Sequence, residues 1–515
     1  MQRNVLEYFE RGALRQFPDQ TAVVDGTERY TFAALERYAK SCANRLISST
    51  DRPAGPVAVF LPKSAATVIA DLGILYSGNF YTNLDVKSPL KRLENILANV
   101  DPELVVTNHE LRTQLLTAGV EESKIVCIDS VLTEPIQYDE NSLRARVETV
   151  IDTDPLCIIN TSGSTGTPKS VVLSHRGVID FIDWVTAGFE FRHADIMGSL
   201  SPFHFDIYLL ELFVSLAKGC SMAIIPEQLS AFPAKLVEFL ADRRVSFIFW
   251  VPTVMVNISN MDLLKAARLE CLRRVFFAGE VFPTRHLNYW RRHLPAVQFV
   301  NLYGPIEISV DCTYFVVDRE FRDDEPLPIG FPCRNTDILI FNEQNQPAKA
   351  NEPGELCVRG SSLALGYWNN PEQTAKAFPQ NPRNPHFPEV IYRTGDSVYR
   401  NERGEIMFIG RKDFQIKHLG YRIELGEIEH AVCQVDGIRN GCVAYNQSKK
   451  EIALFFESDQ DLSPAFIRER MLTRLPKYML PTLFRRLDKI PLTANGKVDR
   501  QKLASSLEQD GNAAG

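Results

Sequence analysis

Residues 160–170 read NTSGSTGTPKS, directly after the apolar run Leu156-Cys157-Ile158-Ile159. A stretch of small hydroxylated side chains, glycine, one proline and one lysine cannot form core, yet it leaves what reads as a buried strand. A glycine-containing loop there can cradle phosphates with backbone N–H groups, because glycine allows close approach. The nearest phosphate motif, G-x-x-x-x-G-K-[ST], is not met. Two residues separate Gly166 from Lys169, and Pro168 removes an N–H donor where the helix would begin. Composition alone leaves two readings, an anion-binding loop and a plain surface loop.

Around this loop, up to about residue 400, β-type runs alternate with helical patterns. The strand candidates include VAVFL (57–61), LVVT (104–107), KIVCI (124–128), CIIN (157–160), SMAIIP (221–226), SFIFW (246–250) and RVFFAG (274–279). Amphipathic stretches such as 65–78 and 233–244 lie between them. This alternation predicts an α/β fold with largely parallel sheet, in which ligands collect at loops leaving the strands' C-terminal ends. From about 331, shorter strands and Gly/Pro/Asn turns predict a β-rich subdomain. A last segment of roughly a hundred residues has its own βαβ pattern, and the tail SSLEQDGNAAG (505–515) reads as disordered.

A chain of 515 residues exceeds the roughly 250–300 at which single cores stop growing, so at least two domains are expected. The formal net charge of −7 gives no case for nucleic acid or an anionic membrane. No apolar run reaches the ~20 residues of a membrane span, and the start lacks the apolar core of a signal peptide. Ten scattered cysteines without a CxxC pair read as free thiols of a cytoplasmic protein. His286 and His293, seven apart with no further ligand nearby, read as two surface histidines.

Eight collinear motifs decide between the readings of the loop: YTFAAL (30–35), NTSGSTGTPKSVVLSH (160–175), FHFDIYLLELF (203–213), NLYGPIE (301–307), GELCVRGSSLALGYW (354–368), YRTGD (392–396), GRKDFQIKHLGYRIELGEIE (410–429) and NGKVD (495–499). In this order they resemble the adenylate-forming superfamily of acyl-CoA synthetases, luciferases and nonribosomal peptide adenylation domains. Stand-alone D-alanine–carrier ligases are the nearest in phrasing. The resemblance implies a large N-terminal domain (1–411) of two βαβ-type subdomains and a β-rich one. A small α+β C-terminal domain (412–515) would follow, rotating about a hinge at Asp413.

It also implies two half-reactions: ATP and a carboxylate give an acyl-adenylate and pyrophosphate, and a thiol then takes the acyl group. By resemblance, Thr161, Ser162, Gly163, Ser164, Thr165 and Gly166 grip the polyphosphate, with Lys169 as an added cation. Glu307 would help to hold Mg²⁺. Tyr303 would stack on adenine and Asn301 would hydrogen-bond near its exocyclic amine, with Leu302, Gly304 and Ile306 (the last where the family's phosphate-positioning threonine stands) completing the nucleotide site, while Asp396 and Arg411 would take the ribose. Lys497 would bridge the substrate carboxylate and the α-phosphate, and the Gly420 loop would serve thioester formation. Ile306 departs from the family threonine, a loss of one neutral hydrogen bond at about 0.5–1.5 kcal/mol.

Asp206 matches the acid that amino-acid-activating members set against the α-ammonium, with Phe205 beside it. Ile207, Leu210, Phe249, Phe276, Ala278, Gly279, Leu302, Val310 and Asp311 match the side-chain pocket, which two phenylalanines should make short. The expected substrate is a small amino acid of the Ala, Gly, Ser or Pro class. With 18 residues after Lys497, the expected acceptor is the phosphopantetheine arm of a separate carrier protein. An acyl- or aryl-CoA ligase of the same superfamily is the alternative. A nucleotide-binding scaffold without catalysis is a third reading, supported by Ile306 alone.

Overall fold

A computed structural model describes residues 2–50, 54–163, 168–412, 415–447, 449–491 and 498–512. The chain divides into two compact units. Met1–Val86, Val100–Ile159 and Ser170–Lys412 make up the first, and Lys87–Asn99, Asn160–Lys169 and Asp413–Gly515 the second.

The apolar runs of the first unit become strands buried on both faces, as parallel sheets covered on both sides require. One sheet has nine strands, in the order Phe331–Pro332, Thr313–Val316, Gln298–Tyr303, Arg274–Phe277, Phe247–Trp250, Ile196–Ser199, Ser221–Ile224, Thr21–Asp25, Glu28–Thr31. Its inner strands, Gln298–Tyr303 through Thr21–Asp25, run parallel, and its margins are antiparallel. A seven-stranded sheet runs Gly366–Tyr367, Lys169–Ser174, Pro155–Thr161, Phe80–Asn83, Pro56–Phe60, Leu104–Thr107, Ile125–Cys127. The β-rich region from 331 onward is a four-stranded antiparallel sheet of Thr336–Phe341, Gly354–Gly360, Tyr392–Arg400 and Ile406–Arg411.

Two helices buried at nearly every position pack inside this unit, each with one buried acid, Asp71 and Glu211, so 65–78 is not the amphipathic surface helix expected. Ala65–Tyr76 touches strand Thr21–Asp25 of the larger sheet and strands Pro56–Phe60 and Phe80–Asn83 of the smaller. Ile207–Lys218 packs on strands Ile196–Ser199 and Ser221–Ile224. Period-two alternation splits the nine-stranded sheet between two cores. Phe247, Phe249, Phe276, Val300 and Leu302 face the first core, whereas Ile248, Trp250, Val275, Phe277 and Phe299 face the second.

In the second unit, Gln415–His418 and Tyr421–Glu424 form a hairpin. Its two-residue turn, Leu419-Gly420, has φ of +53° and +82°, the positive values that tight hairpin turns need. Helix Leu425–Val432 follows, then a sheet in which Ile438–Asn446 and Glu451–Ser458 are antiparallel and Leu483–Arg486 joins in parallel.

Two expectations are corrected. The tail is not disordered as far as Asn512: helix Arg500–Asn512 runs through it, and Leu503 and Leu507, one turn apart, bury against Cys442 and Phe455. His286 is not a surface residue but 6% exposed, on the inward side of helix Thr284–His293, with Nδ1 at 3.0 Å from Ser259 Oγ. Its neighbours Leu287 and Trp290 draw that side inward. All ten cysteines are free thiols. Among the described residues no helix is long and apolar enough to cross a membrane, and no cluster of metal-ligating side chains occurs.

Candidate active site

The candidate residues of the first unit lie where strands of the nine-stranded sheet end and where the four-stranded sheet carries its acids. Strand Gln298–Tyr303 delivers Asn301, Leu302 and Tyr303. Asn301 Nδ2 donates to Pro328 O at 2.8 Å, which fixes the orientation of the side-chain amide. The Tyr303 hydroxyl donates to Asp396 Oδ2, and Arg411 Nη1 donates to Asp396 Oδ1 at 2.8 Å. Asp396 and Arg411 meet because they sit directly opposite each other on antiparallel strands. Burial and the adjacent Asp396 carboxylate push the Tyr303 phenol far up, so it remains a donor.

Between Tyr303 and strand Thr313–Val316 the chain folds into a hook. Gly304 admits no side chain: a Cβ there would lie 2.4 Å from Asp311 Cα and 2.5 Å from Val310 O. Ser309 and Val310 take φ of +54° and +78°, a conformation costing about 1–3 kcal/mol per residue and rare for a β-branched side chain. The hook buries Glu307 completely, with Oε1 accepting from the Tyr367 hydroxyl at 2.8 Å. Ile306 is buried in the apolar core beside it.

Phe249 and Phe276 are paired in register on adjacent parallel strands, with ring centroids 6.0 Å apart and edge to face. Ala278 and Gly279 follow the second strand, and Gly279 takes φ +91°. Ile207, Leu210, Leu302 and Val310 are buried on the same side of the sheet, in the first core. Phe205 and Asp206, both half-buried, lie on the turn before helix Ile207–Lys218. Asp311 is 3% exposed.

The candidate residues of the second unit belong to the opening loop. Ser162 Oγ donates to Arg422 O at 2.6 Å and accepts from Glu424 N at 3.1 Å. Gly163 N donates to Glu427 Oε2 at 3.1 Å, and Lys169 Nζ pairs with Glu424 Oε1 at 2.8 Å. Arg92 forms a buried ion pair with Glu427. Burial raises the Glu427 carboxyl, while Arg92 opposes the shift. Thr161 Oγ1 lies 3.4 Å from Lys169 O, so the two ends of the loop are held together. Ser164, Thr165, Gly166, Asp413 and Lys497 lie outside the described residues.

Sequence reasoning thus named the donors of this loop but not their acidic partners. Glu424 and Glu427 stood in plain view within GYRIELGEIE. Arg92 carried no signal, since its partner is 335 residues away.

Comparison with known proteins gives the family. Residues 9–368 match the family of AMP-binding enzymes, and the chain belongs to that family, within the adenylate-forming superfamily its motifs resemble. Tyrocidine synthase 1 of Brevibacillus parabrevis is 32% identical over 97% of this chain, which spans 45% of that protein's length. Two solved structures share the fold. The adenylation domain AlmE of Vibrio cholerae, bound to glycyl-adenosine-5'-phosphate, superposes with a TM-score of 0.82 at 21% identity, over 99% of this chain and 98% of its own. The o-succinylbenzoate CoA synthetase MenE of Bacillus subtilis gives 0.84 at 19%, over 98% of each chain. At those identities the likeness establishes the fold alone.

Proposed function

We propose that this protein is an amino-acid adenylating ligase that charges a separate carrier protein. A substrate carboxylate oxygen attacks the α-phosphorus of ATP, and the α–β phosphoanhydride bond breaks to release pyrophosphate. The phosphopantetheine sulfur then attacks the acyl carbon, forming a thioester as AMP leaves. Thr161 to Gly166 and Lys169 supply donors to the departing pyrophosphate, and Lys497 offsets the repulsion between the two anions that must meet. Tyr303 and Asn301 take the adenine, with Asp396 and Arg411 on the ribose. Rotation about Asp413 separates the half-reactions and brings the Leu419-Gly420 turn to the second.

Glu307 fits a magnesium ion: one buried, hard carboxylate is enough where substrate phosphates complete the coordination. The ion, when bound, neutralises polyphosphate charge. Tyr367 holds one oxygen of Glu307 in place for it.

The observation that carries the substrate reading is Asp206. It stands in the N-cap position of helix Ile207–Lys218 without capping it through its side chain. It matches the acid that amino-acid-activating members of the superfamily set against the α-ammonium, whose positive charge complements a carboxylate. Phe249 and Phe276 close off depth, which favours Ala, Gly, Ser or Pro. ATP–pyrophosphate exchange across the twenty amino acids and a panel of fatty and aromatic acids tests this. Exchange driven by one small amino acid is the expected result. Exchange driven only by acids that lack an ammonium would establish the CoA-ligase alternative, whose fold MenE shares.

A further inference from the structure

Helix Ala65–Tyr76 is apolar on every side except at Asp71, which is 0% exposed. Among the described residues no cation pairs with this carboxylate. Oδ2 accepts from Asn83 Nδ2 at 3.1 Å and from the Tyr208 hydroxyl at 2.8 Å, while Oδ1 has no partner. A buried acid so poorly compensated is a cost to folding, which a leucine or asparagine would avoid. Burial pushes its carboxyl up to about 7.

Both partners of Asp71 hold the same neighbour. Asn83 Nδ2 also donates to Phe203 O at 3.2 Å, and the Tyr208 ring stacks on the Phe203 ring with centroids 4.0 Å apart. Phe203 opens the turn that ends at Asp206, and Tyr208 N and Leu209 N close it by donating to Phe205 O and Asp206 O. The far end of the turn has a second buried anchor. Lys63 Nζ donates to Ser199 O at 2.6 Å and lies 5.6 Å from the Phe203 ring centre, and Glu211 accepts from Ser199 Oγ at 2.5 Å. Burial raises the Cys157 thiol, and the charges of Asp71 and Asp206 add to that shift.

We propose that Asp71 is a positioning residue for substrate recognition: through Asn83 and Tyr208 it fixes the Phe203–Asp206 turn so that Asp206 meets the substrate's ammonium. The inference rests on the amino-acid reading given above. It explains why a costly buried acid occupies a helix that otherwise needs none. Asp71 touches no reacting atom, so its removal acts on amino-acid binding rather than on the chemical step.

The test uses the full-length protein, the amino acid found in the exchange panel and its des-amino analogue. Asp71→Asn and Tyr208→Phe are compared with wild type and with Asp206→Asn. Tyr208→Phe keeps the ring stack and serves if Asp71→Asn folds poorly. A slightly misplaced binding group should raise the KM for the amino acid about tenfold, with the KM for ATP and the exchange driven by the des-amino analogue unchanged. Combined with Asp206→Asn, the Asp71 change should add nothing further, because both act through one contact. Additive effects, or an equal loss with the des-amino analogue, overturn the proposal while leaving the amino-acid reading intact. A wild type that uses amino acid and analogue equally well overturns both, and shows it before any variant is made.

Discussion

Gly163 and Lys169, at either end of the loop that follows strand Pro155–Thr161, already hold carboxylates. Lys169 holds Glu424 at 2.8 Å, both side chains being largely buried at 17% and 12% exposure, and Gln415 Nε2 donates to the same oxygen of Glu424 at 2.8 Å. A polyphosphate that needs Lys169 must first take it from this carboxylate. Glu424→Gln keeps an oxygen for Gln415 and removes the charge. A hydrogen bond to a charged group contributes about 1.5–3 kcal/mol and a neutral one about 0.5–1.5, so the competitor weakens by about 1–1.5 kcal/mol. At about 1.4 kcal/mol per tenfold, the dissociation constant for ATP should fall by roughly five- to tenfold. Calorimetric titration of ATP into wild type and variant, without amino acid, reads it directly. Raised ionic strength should narrow the gap, because screening weakens the pair in the wild type. An unchanged or weaker ATP affinity in Glu424→Gln would refute the competition, as would the same gain in a Lys169→Ala background.

Three further outcomes follow from the same geometry. His175 is buried as the neutral acceptor of Val5 N and its imidazole is pushed down to about 3 from 6.5, mainly by burial. The unfolded chain therefore binds a proton that the fold refuses, and stability is lost as pH falls from 6.5 toward 3. At pH 5 the loss is about 2 kcal/mol, so His175→Asn, which keeps an acceptor, should flatten the change in urea midpoint of the first unit between pH 8 and 5. Gly304→Ala should abolish exchange and lower the melting temperature, since its Cβ collides with the backbone of Asp311 and Val310. Lys497→Ala should cut exchange by orders of magnitude and leave the circular dichroism spectrum and melting temperature unchanged; unaltered exchange would remove Lys497 from the mechanism.

Much of the fold was legible because strands buried on both faces spell continuous apolar runs, and each of the seven runs named from the sequence became a strand. The candidate residues were legible because motifs preserve local order, as in Tyr303, Glu307 and Asp396. What stayed hidden depends on partners distant in the chain. Residues 87–99 and 160–169 join the C-terminal unit through pairs such as Arg92 with Glu427, and no spacing announces a contact across 335 residues. The tail misled because a short segment rich in polar residues shows only one leucine, Leu507, and its burial with Leu503 against Cys442 and Phe455 is a tertiary fact.

Asp71 is the instructive omission. Read from the sequence, 65–78 is an amphipathic helix whose single acid passes for part of a polar face, whereas the structure buries Ala65–Tyr76 at nearly every position. A sequence that satisfies propensity, packing and polarity at every other position of a helix breaks the rule where something besides stability is being met. The contacts through Asn83 and Tyr208 to Phe203 show what that is: rigid support for a turn whose last residue carries a charge. The strained Ser309-Val310 pair follows the same logic, since its left-handed backbone is tolerated only in the hook that buries Glu307. In both places local cost marks the residues that hold the site in shape, and both stand beside the acids on which the proposed chemistry depends.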